Sequence, residues 1–281
     1  MKKITKILLV FALLLAAVGC SNNGGGDASA DKTIKVGATL VPHAEILKGV
    51  VADKLKAAGY TLEVVEFNDY VTPNTALEEG ELDANYFQTL GYMEDQNTTG
   101  GLHLAAVAGV HIEPMGIYSE KHASISELAD GATIGVPNDT DNYYRALDLL
   151  VAQGFLNGTD NETVLNGSKE LNPHGYVITP IEAAGLPRSL SDLDFAVING
   201  NYALEAGLPE KSPALLIETF DAESSVRRTN YLVVKQGNEN SEKIQALVEA
   251  IISPEVEKYI QDTYKGSVIP SFVDANGKPL N

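Results

Sequence analysis

The chain has 281 residues, a single cysteine, no tryptophan, and 38 acidic against 20 basic side chains for a formal net charge of −18. So acidic a surface excludes nucleic-acid binding, which needs basic groups to neutralise phosphates. One cysteine excludes an internal disulfide or a multi-cysteine zinc site, so the fold must stand on its core, and the length suffices for one large unit or two lobes.

The first twenty residues form a leader. Lys2, Lys3 and Lys6 lie at the start, an unbroken apolar run extends from Ile7 to Val18, and Gly19 and Cys20 follow. The run is too short to span a bilayer comfortably, and its basic flank precedes it, as in a secretory signal peptide. Ala17, Val18 and Gly19 before Cys20 resemble the lipobox of bacterial lipoproteins. That resemblance implies cleavage after residue 19, acylation of Cys20, and a chain anchored by lipid to the extracytoplasmic face of the cell membrane. Loss of the three lysines takes the formal charge to −21. Residues 20 to 32 then read as a lipidated flexible tether, because SNNGGGDASADK has nothing apolar larger than alanine to bury.

From Ile34 the pattern becomes α/β. IKVGATL predicts a strand, and Ile46, Leu47, Val50, Val51 and Leu55 recur at helical spacing until Gly59. LEVVEF predicts a second strand, Asn74 to Glu79 a short helix and LDANYF a third strand. Leu104 to Tyr118 reads as a long extended stretch, interrupted by Pro114, that carries the chain out of the first unit. A second series follows: ATIGVP as a strand, Asn142 to Gln153 as a helix, FAVIN as a strand and Tyr202 to Ala206 as a helical turn. Thr229 to Lys235 is again strand-like, and two helices close the chain, the second with Ser253 as N-cap and Pro254 in its first turn. The alternation predicts parallel sheets in two lobes, residues 33–112 with 228–281 and residues 113–227. Two crossings, near 112 and 228, would join them around a cleft walled by strand-end loops.

Those loops carry the unusual residues: VPHAEIL, DYVTPN, NYFQTLGYM, PNDTDNYYRAL and INGNYA. Together with HIEPMGIYS and YKGSVIPSF they resemble the NlpA or MetQ family, the lipoprotein substrate-binding components of methionine ABC importers, from Ile34 to Phe272. The resemblance implies a type II-like periplasmic-binding-protein fold with a central ligand cleft and two hinge crossings. It implies capture of methionine, or a methionine-like amino acid, for delivery to the permease and ATPase subunits of an importer. A monomer without cofactor, metal or catalytic step is expected. Another amino acid or a short methionyl peptide, a metal-binding importer component, and a surface adhesin are the alternative readings.

A zwitterionic ligand must have both charges repaid in hydrogen bonds once they leave water. Arg145 can offer a bidentate fork to a carboxylate, near the amino end of a helix whose free amides favour the same charge. The arginine after the PND loop has that role in the resembled family. Asparagine donates and accepts at once, and Asn199 and Asn230 fall on family positions that contact the ligand. Asn142 and Asn201 fit a turn or cap role equally well. Tyr70, Phe87 and Tyr92 fall on the family's aromatic cage for a thioether. Thr89 stands where the family commonly has histidine, and Tyr143 and Tyr144 where it commonly has a small residue, so a wall lost on one side and bulk gained on the other are expected. His43, Glu45, His111 and Glu113 form the one tempting metal set. No G-x-S-x-G elbow or H-E-x-x-H helix is present, and an enzyme is not expected.

Overall fold

Two mixed sheets organise the chain, and the backbone leaves the first, builds the second and returns. The computed structural model describes residues 32–280; the leader, Cys20 and nearly all of the tether lie outside the described residues. The first sheet begins with β1 (Thr33–Thr39), β2 (Thr61–Phe67), β3 (Ala84–Thr89) and β4 (Leu104–Ile112). The second is β5 (Gly116–Tyr118), β6 (Thr133–Pro137), β7 (Val177–Ile181), β8 (Phe195–Ile198) and β9 (Leu216–Ile217). The chain then returns with β10 (Thr229–Lys235) and β11 (Ile269–Pro270). The strand orders are β11-β4-β10-β3-β1-β2 and β7-β6-β8-β5-β9.

Within each sheet the strands joined by helical crossovers are parallel, β1 with β2 and β3, and β6 with β7 and β8. The returning β10 is antiparallel to β3 and β4, and β5 is antiparallel to β8 and β9. Each lobe has its own core. Ile34, Val36 and Tyr86 pack with Leu247 and Ile260 in the first, and Ile134, Val136 and Phe195 pack with Leu147 and Leu150 in the second. Each such side chain contributes roughly 1.5–3 kcal/mol by leaving water. Among the described residues no helix is long and apolar enough to cross a membrane.

Several expectations are sharpened. The extended stretch from Leu104 divides at Pro114 into β4 and β5, which belong to different sheets. β7 falls in a stretch for which the sequence predicts no element, and it carries Pro180. It is an edge strand, where a missing backbone donor is tolerated. Ser253 occupies the N-cap position of the helix Pro254–Tyr264, but its hydroxyl donates back to the Ala250 carbonyl at 2.9 Å instead of capping.

Candidate ligand-binding cleft

The carboxyl ends of the parallel strands in both lobes converge on one narrow cavity, the crevice where α/β sheets bind ligands. Tyr70 reaches it from the loop after β2. Phe87, Gln88 and Thr89 reach it from the end of β3, and Tyr92 from the first turn of the helix Leu90–Gly100. The opposite wall is Asn142 and Arg145 of the helix Thr140–Ala152, with Asn199 and Gly200 after β8. Glu113 and Asn230 sit on the two crossings. All eight residues singled out as ligand contacts therefore line a single cavity; Gln88, Glu113 and Gly200 are additional.

Tyr70, Phe87 and Tyr92 form a triangle, with ring centroids 5.7 to 6.1 Å apart. The Tyr92 hydroxyl donates to the Tyr70 carbonyl at 3.1 Å, which fixes the loop between the rings. Across the cleft Tyr70 stacks on Tyr202 at 4.9 Å and donates its hydroxyl to Asn201 Oδ1 at 2.6 Å. Burial holds the phenols of Tyr70 and Tyr92 well above their ordinary pKa, so both remain protonated donors. Thr89 lines the cavity and also caps the helix Leu90–Gly100, its Oγ1 accepting from the Tyr92 amide at 3.2 Å.

The polar wall is oriented by a relay. The half-buried Asp139 carboxylate, pushed up to about 6 by desolvation, accepts from the Asn142 amide and from Asn142 Nδ2, each at 3.0 Å. Asn142 Oδ1 is thereby left to accept from Asn199 Nδ2 at 2.9 Å. Asn199 Oδ1 is consequently a buried acceptor with no partner among the described residues. Such an atom costs about 1–3 kcal/mol until something donates to it. On the far side Asn230 Oδ1 pairs with His43 Nε2 at 3.1 Å, which frees Nδ2 as a donor.

Arg145 departs from the expected geometry. Its Nε and Nη2 are bound to Glu218 at 2.6 to 3.1 Å, and Nη2 also donates to the Glu113 carbonyl at 2.8 Å. Burial acts to lower the guanidinium pKa, but the Glu218 carboxylate more than offsets it and holds the group charged. The bidentate edge expected to meet a ligand is thus occupied, and Nη1 is the nitrogen left. Nor is the helix amino end free, because Asp139 already caps it. Tyr143 and Tyr144 are also corrected. Tyr143 is buried in the second core with its hydroxyl on the Asp160 carbonyl, Tyr144 is exposed, and neither adds bulk to the cavity.

Of the tempting metal set, His43, His111 and Glu113 converge, their ligand atoms lying within 4.8 Å of one another. Glu45 instead accepts from the Tyr264 hydroxyl at 2.7 Å. The cluster closes as a hydrogen-bond network. Thr39 Oγ1 contacts His43 Nδ1 at 2.8 Å, and the Tyr86 hydroxyl contacts His111 Nδ1. Both Nε2 atoms point at Glu113 Oε1, at 3.3 and 2.6 Å, and Glu113 Oε2 accepts the Asn201 amide at 3.0 Å. Burial lowers His43 to about 4 and His111 to about 3 and raises Glu113. Two neutral imidazoles, each donating through Nε2–H, satisfy every atom of this set.

The NlpA lipoprotein family model matches residues 34–272. The chain is 37% identical over 270 residues to the methionine-binding lipoprotein MetQ of Bacillus subtilis, covering 94% of this chain and 96% of that one. It is 36% identical over 265 residues to the D-methionine-binding lipoprotein MetQ of Escherichia coli, covering 92% and 94%. A nutrient binding protein from Burkholderia cenocepacia bound to methionine superimposes with a TM-score of 0.76 at 37% identity, over 85% of this chain and all of that one. The two lobes and their cleft are a periplasmic-binding-protein fold, and the chain belongs to the NlpA lipoprotein family.

Proposed function

We propose that the protein captures methionine between lobes 33–112 with 228–281 and 113–227, and delivers it to the permease and ATPase subunits of an ABC importer. The observation that carries this reading is the unpartnered Asn199 Oδ1, which shares one cavity with Arg145 and an aromatic triangle. An acceptor, a cation and an apolar cage match the ammonium, carboxylate and thioether of one amino acid. The carboxylate is met by Arg145 Nη1 and Asn230 Nδ2, the ammonium by Asn199 Oδ1 beside the Glu113 carboxylate. The thioether lies among Tyr70, Phe87 and Tyr92, where each sulfur contact contributes about 0.3–1.5 kcal/mol. Asn142 acts through Asn199, and Thr89 fixes the turn that carries Tyr92. The protein performs no covalent step; ligand shifts the open–closed equilibrium by its differential affinity for the two states. Acylation of Cys20 holds the monomer at the extracytoplasmic face of the membrane.

The test is a thermal-shift and calorimetric panel of the twenty amino acids, D-methionine, methionine sulfoxide and methionyl dipeptides. Methionine should give the largest upward shift, since ligand bound to the folded state alone stabilises it by mass action. A larger shift with another amino acid or with a dipeptide would reassign the ligand, and no shift with any of them would remove the capture role.

A further inference from the structure

A guanidinium has five N–H groups, and in Arg145 three are taken by the protein. Nε–H and one Nη2–H go to Glu218, and the second Nη2–H goes to the Glu113 carbonyl. Both remaining protons are on Nη1. Glu218 is itself held in place: its Oε2 accepts the Met115 amide at 3.0 Å, and its backbone amide donates to the Met115 carbonyl at 2.9 Å. The side chains of the pair are 4% and 12% exposed, so water screens their mutual field little. Glu218 does not line the cavity, so it acts on a ligand without touching it, by offsetting the charge of Arg145 and by orienting its guanidinium.

We propose that Glu218 is the residue that makes this cavity select a zwitterion over a bare carboxylate. Resting on the reading of Arg145 as the carboxylate anchor, the argument is one of charge balance. An unpaired buried guanidinium presents a full positive charge, and any organic anion of the right shape would be drawn to it. Paired with Glu218, the same group presents a dipole whose Nη1–H end still donates hydrogen bonds while its net charge is cancelled. A zwitterion loses little by this, because its ammonium and carboxylate respond to a uniform potential in opposite senses. A ligand with a carboxylate and no ammonium loses the attraction of a net positive charge, keeps only the hydrogen bonds from Nη1, and leaves Asn199 Oδ1 without a donor as well. The bidentate contact also fixes the plane of the guanidinium, which presents Nη1 to the cavity at one angle.

The probe is 4-(methylthio)butanoate, methionine without its amino group, titrated in competition with methionine. In Glu218→Gln an acceptor for Nε is kept and the charge is lost. The affinity of the anion relative to methionine should rise at least about tenfold, as expected from one uncompensated charge a few ångströms away in a partly screened site. Glu218→Ala serves if the glutamine variant does not fold, and Glu218→Asp, which retains the charge, should keep the parent ratio. A structural role alone would change both ligands by the same factor, and that result, or no displacement of methionine by the anion in the charge-removed variant, overturns the proposal. Arg145→Ala is the control for the underlying reading. If it binds methionine within threefold of the parent, the anchor assignment itself is wrong. If it loses methionine while Glu218→Gln keeps the parent ratio, the inference about Glu218 alone fails.

Discussion

The Asp141 carboxylate of the second lobe rests on the backbone of Gly91 in the first. A Cβ at residue 91 would lie 2.5 Å from Asp141 Oδ1. The carboxylate is held there by Arg228 Nη1 at 2.9 Å and Arg227 Nη2 at 3.3 Å, while Arg227 also reaches Glu94 at 3.0 Å. The helices Leu90–Gly100 and Thr140–Ala152 meet at the cleft rim because one of them has no side chain at that point. Gly91→Ala should therefore hinder closure without harming either lobe. Alanine is favoured over glycine in a helix by up to about 1 kcal/mol, so the melting point of the unliganded protein should hold or rise slightly. Methionine affinity should fall about tenfold, or roughly 1.4 kcal/mol. Calorimetry showing an unchanged affinity would mean that the rim contact has no part in closure.

Acid should weaken the hinge network in a direction set by its imidazoles. His111 is held at about 3 in the folded protein by burial, against about 6.5 in the unfolded chain. Below pH 6.5 the unfolded chain takes up a proton that the folded protein refuses, so stability falls as the pH drops and the loss ends only near pH 3. His43, lowered to about 4, behaves alike. Asp139 opposes them: its carboxyl is raised to about 6, so the stability it contributes is present at low pH and is lost as the pH rises through 6. A variant comparison isolates one group. His111→Gln can still donate to Glu113, and its destabilisation relative to the parent should shrink by about 2 kcal/mol between pH 7 and pH 5. Urea unfolding at the two pH values measures this; a penalty that stays constant or grows would show that His111 is not held neutral.

The βαβ alternation was legible because each parallel strand is a short apolar run followed by a helix whose period-3.6 stripe faces the same core. The neighbourhood of the site was legible because the strand ends gather tyrosine and asparagine that a core does not call for. The individual cavity-lining residues were picked out by the resemblance to the NlpA family, and they lie as often at the end of a strand or in the first turns of a helix as in a loop. What stayed hidden has no local signature. Glu218 lies 73 residues from Arg145 in a segment whose only regular element is the two-residue β9, and neither periodicity nor spacing joins the two. Val177–Ile181 has no clear strand signature either, since Pro180 fits a strand only at a sheet edge and edge position is not encoded locally. Tyr143 was misplaced for a related reason. A helix presents residues 143 and 145 some 200° apart, and only the packing decides which of the two faces the cleft.

Thr89 carries a cap as well as a wall, and this changes what its replacement should do. Its Oγ1 accepts the Tyr92 amide, the first turn of the helix that holds the Tyr92 ring over the cavity. Thr89→Ala should cost about 1 kcal/mol of unliganded stability and weaken methionine several-fold through the displaced ring, whereas Thr89→Ser should restore both. Thr89→His loses the cap while placing a ring in the cavity, so a lower melting point should accompany any gain in affinity. Thermal melts and titrations of the three variants check this. An alanine variant as stable as the parent would leave the hydroxyl without a capping role.

The Tyr70 hydroxyl ties the two lobes together at the cavity, and its removal should be felt in the rate of release. It donates to Asn201 Oδ1 at 2.6 Å, and Asn201 Nδ2 is buried without a partner among the described residues. In Tyr70→Phe the ring still stacks on Tyr202, as it does now at 4.9 Å, but the Asn201 amide loses its hydrogen bond wherever the lobes are together. The penalty of about 1–3 kcal/mol for a stranded buried amide falls on the closed arrangement, since in the open one water can take the place of the hydroxyl. Association begins from the open form and should be unchanged, while dissociation should accelerate by about ten- to a hundredfold. With no tryptophan in the chain, tyrosine emission in stopped flow can report both rates. A slower association with unchanged release would place the Tyr70 hydroxyl in the encounter step and not in holding the closed cleft.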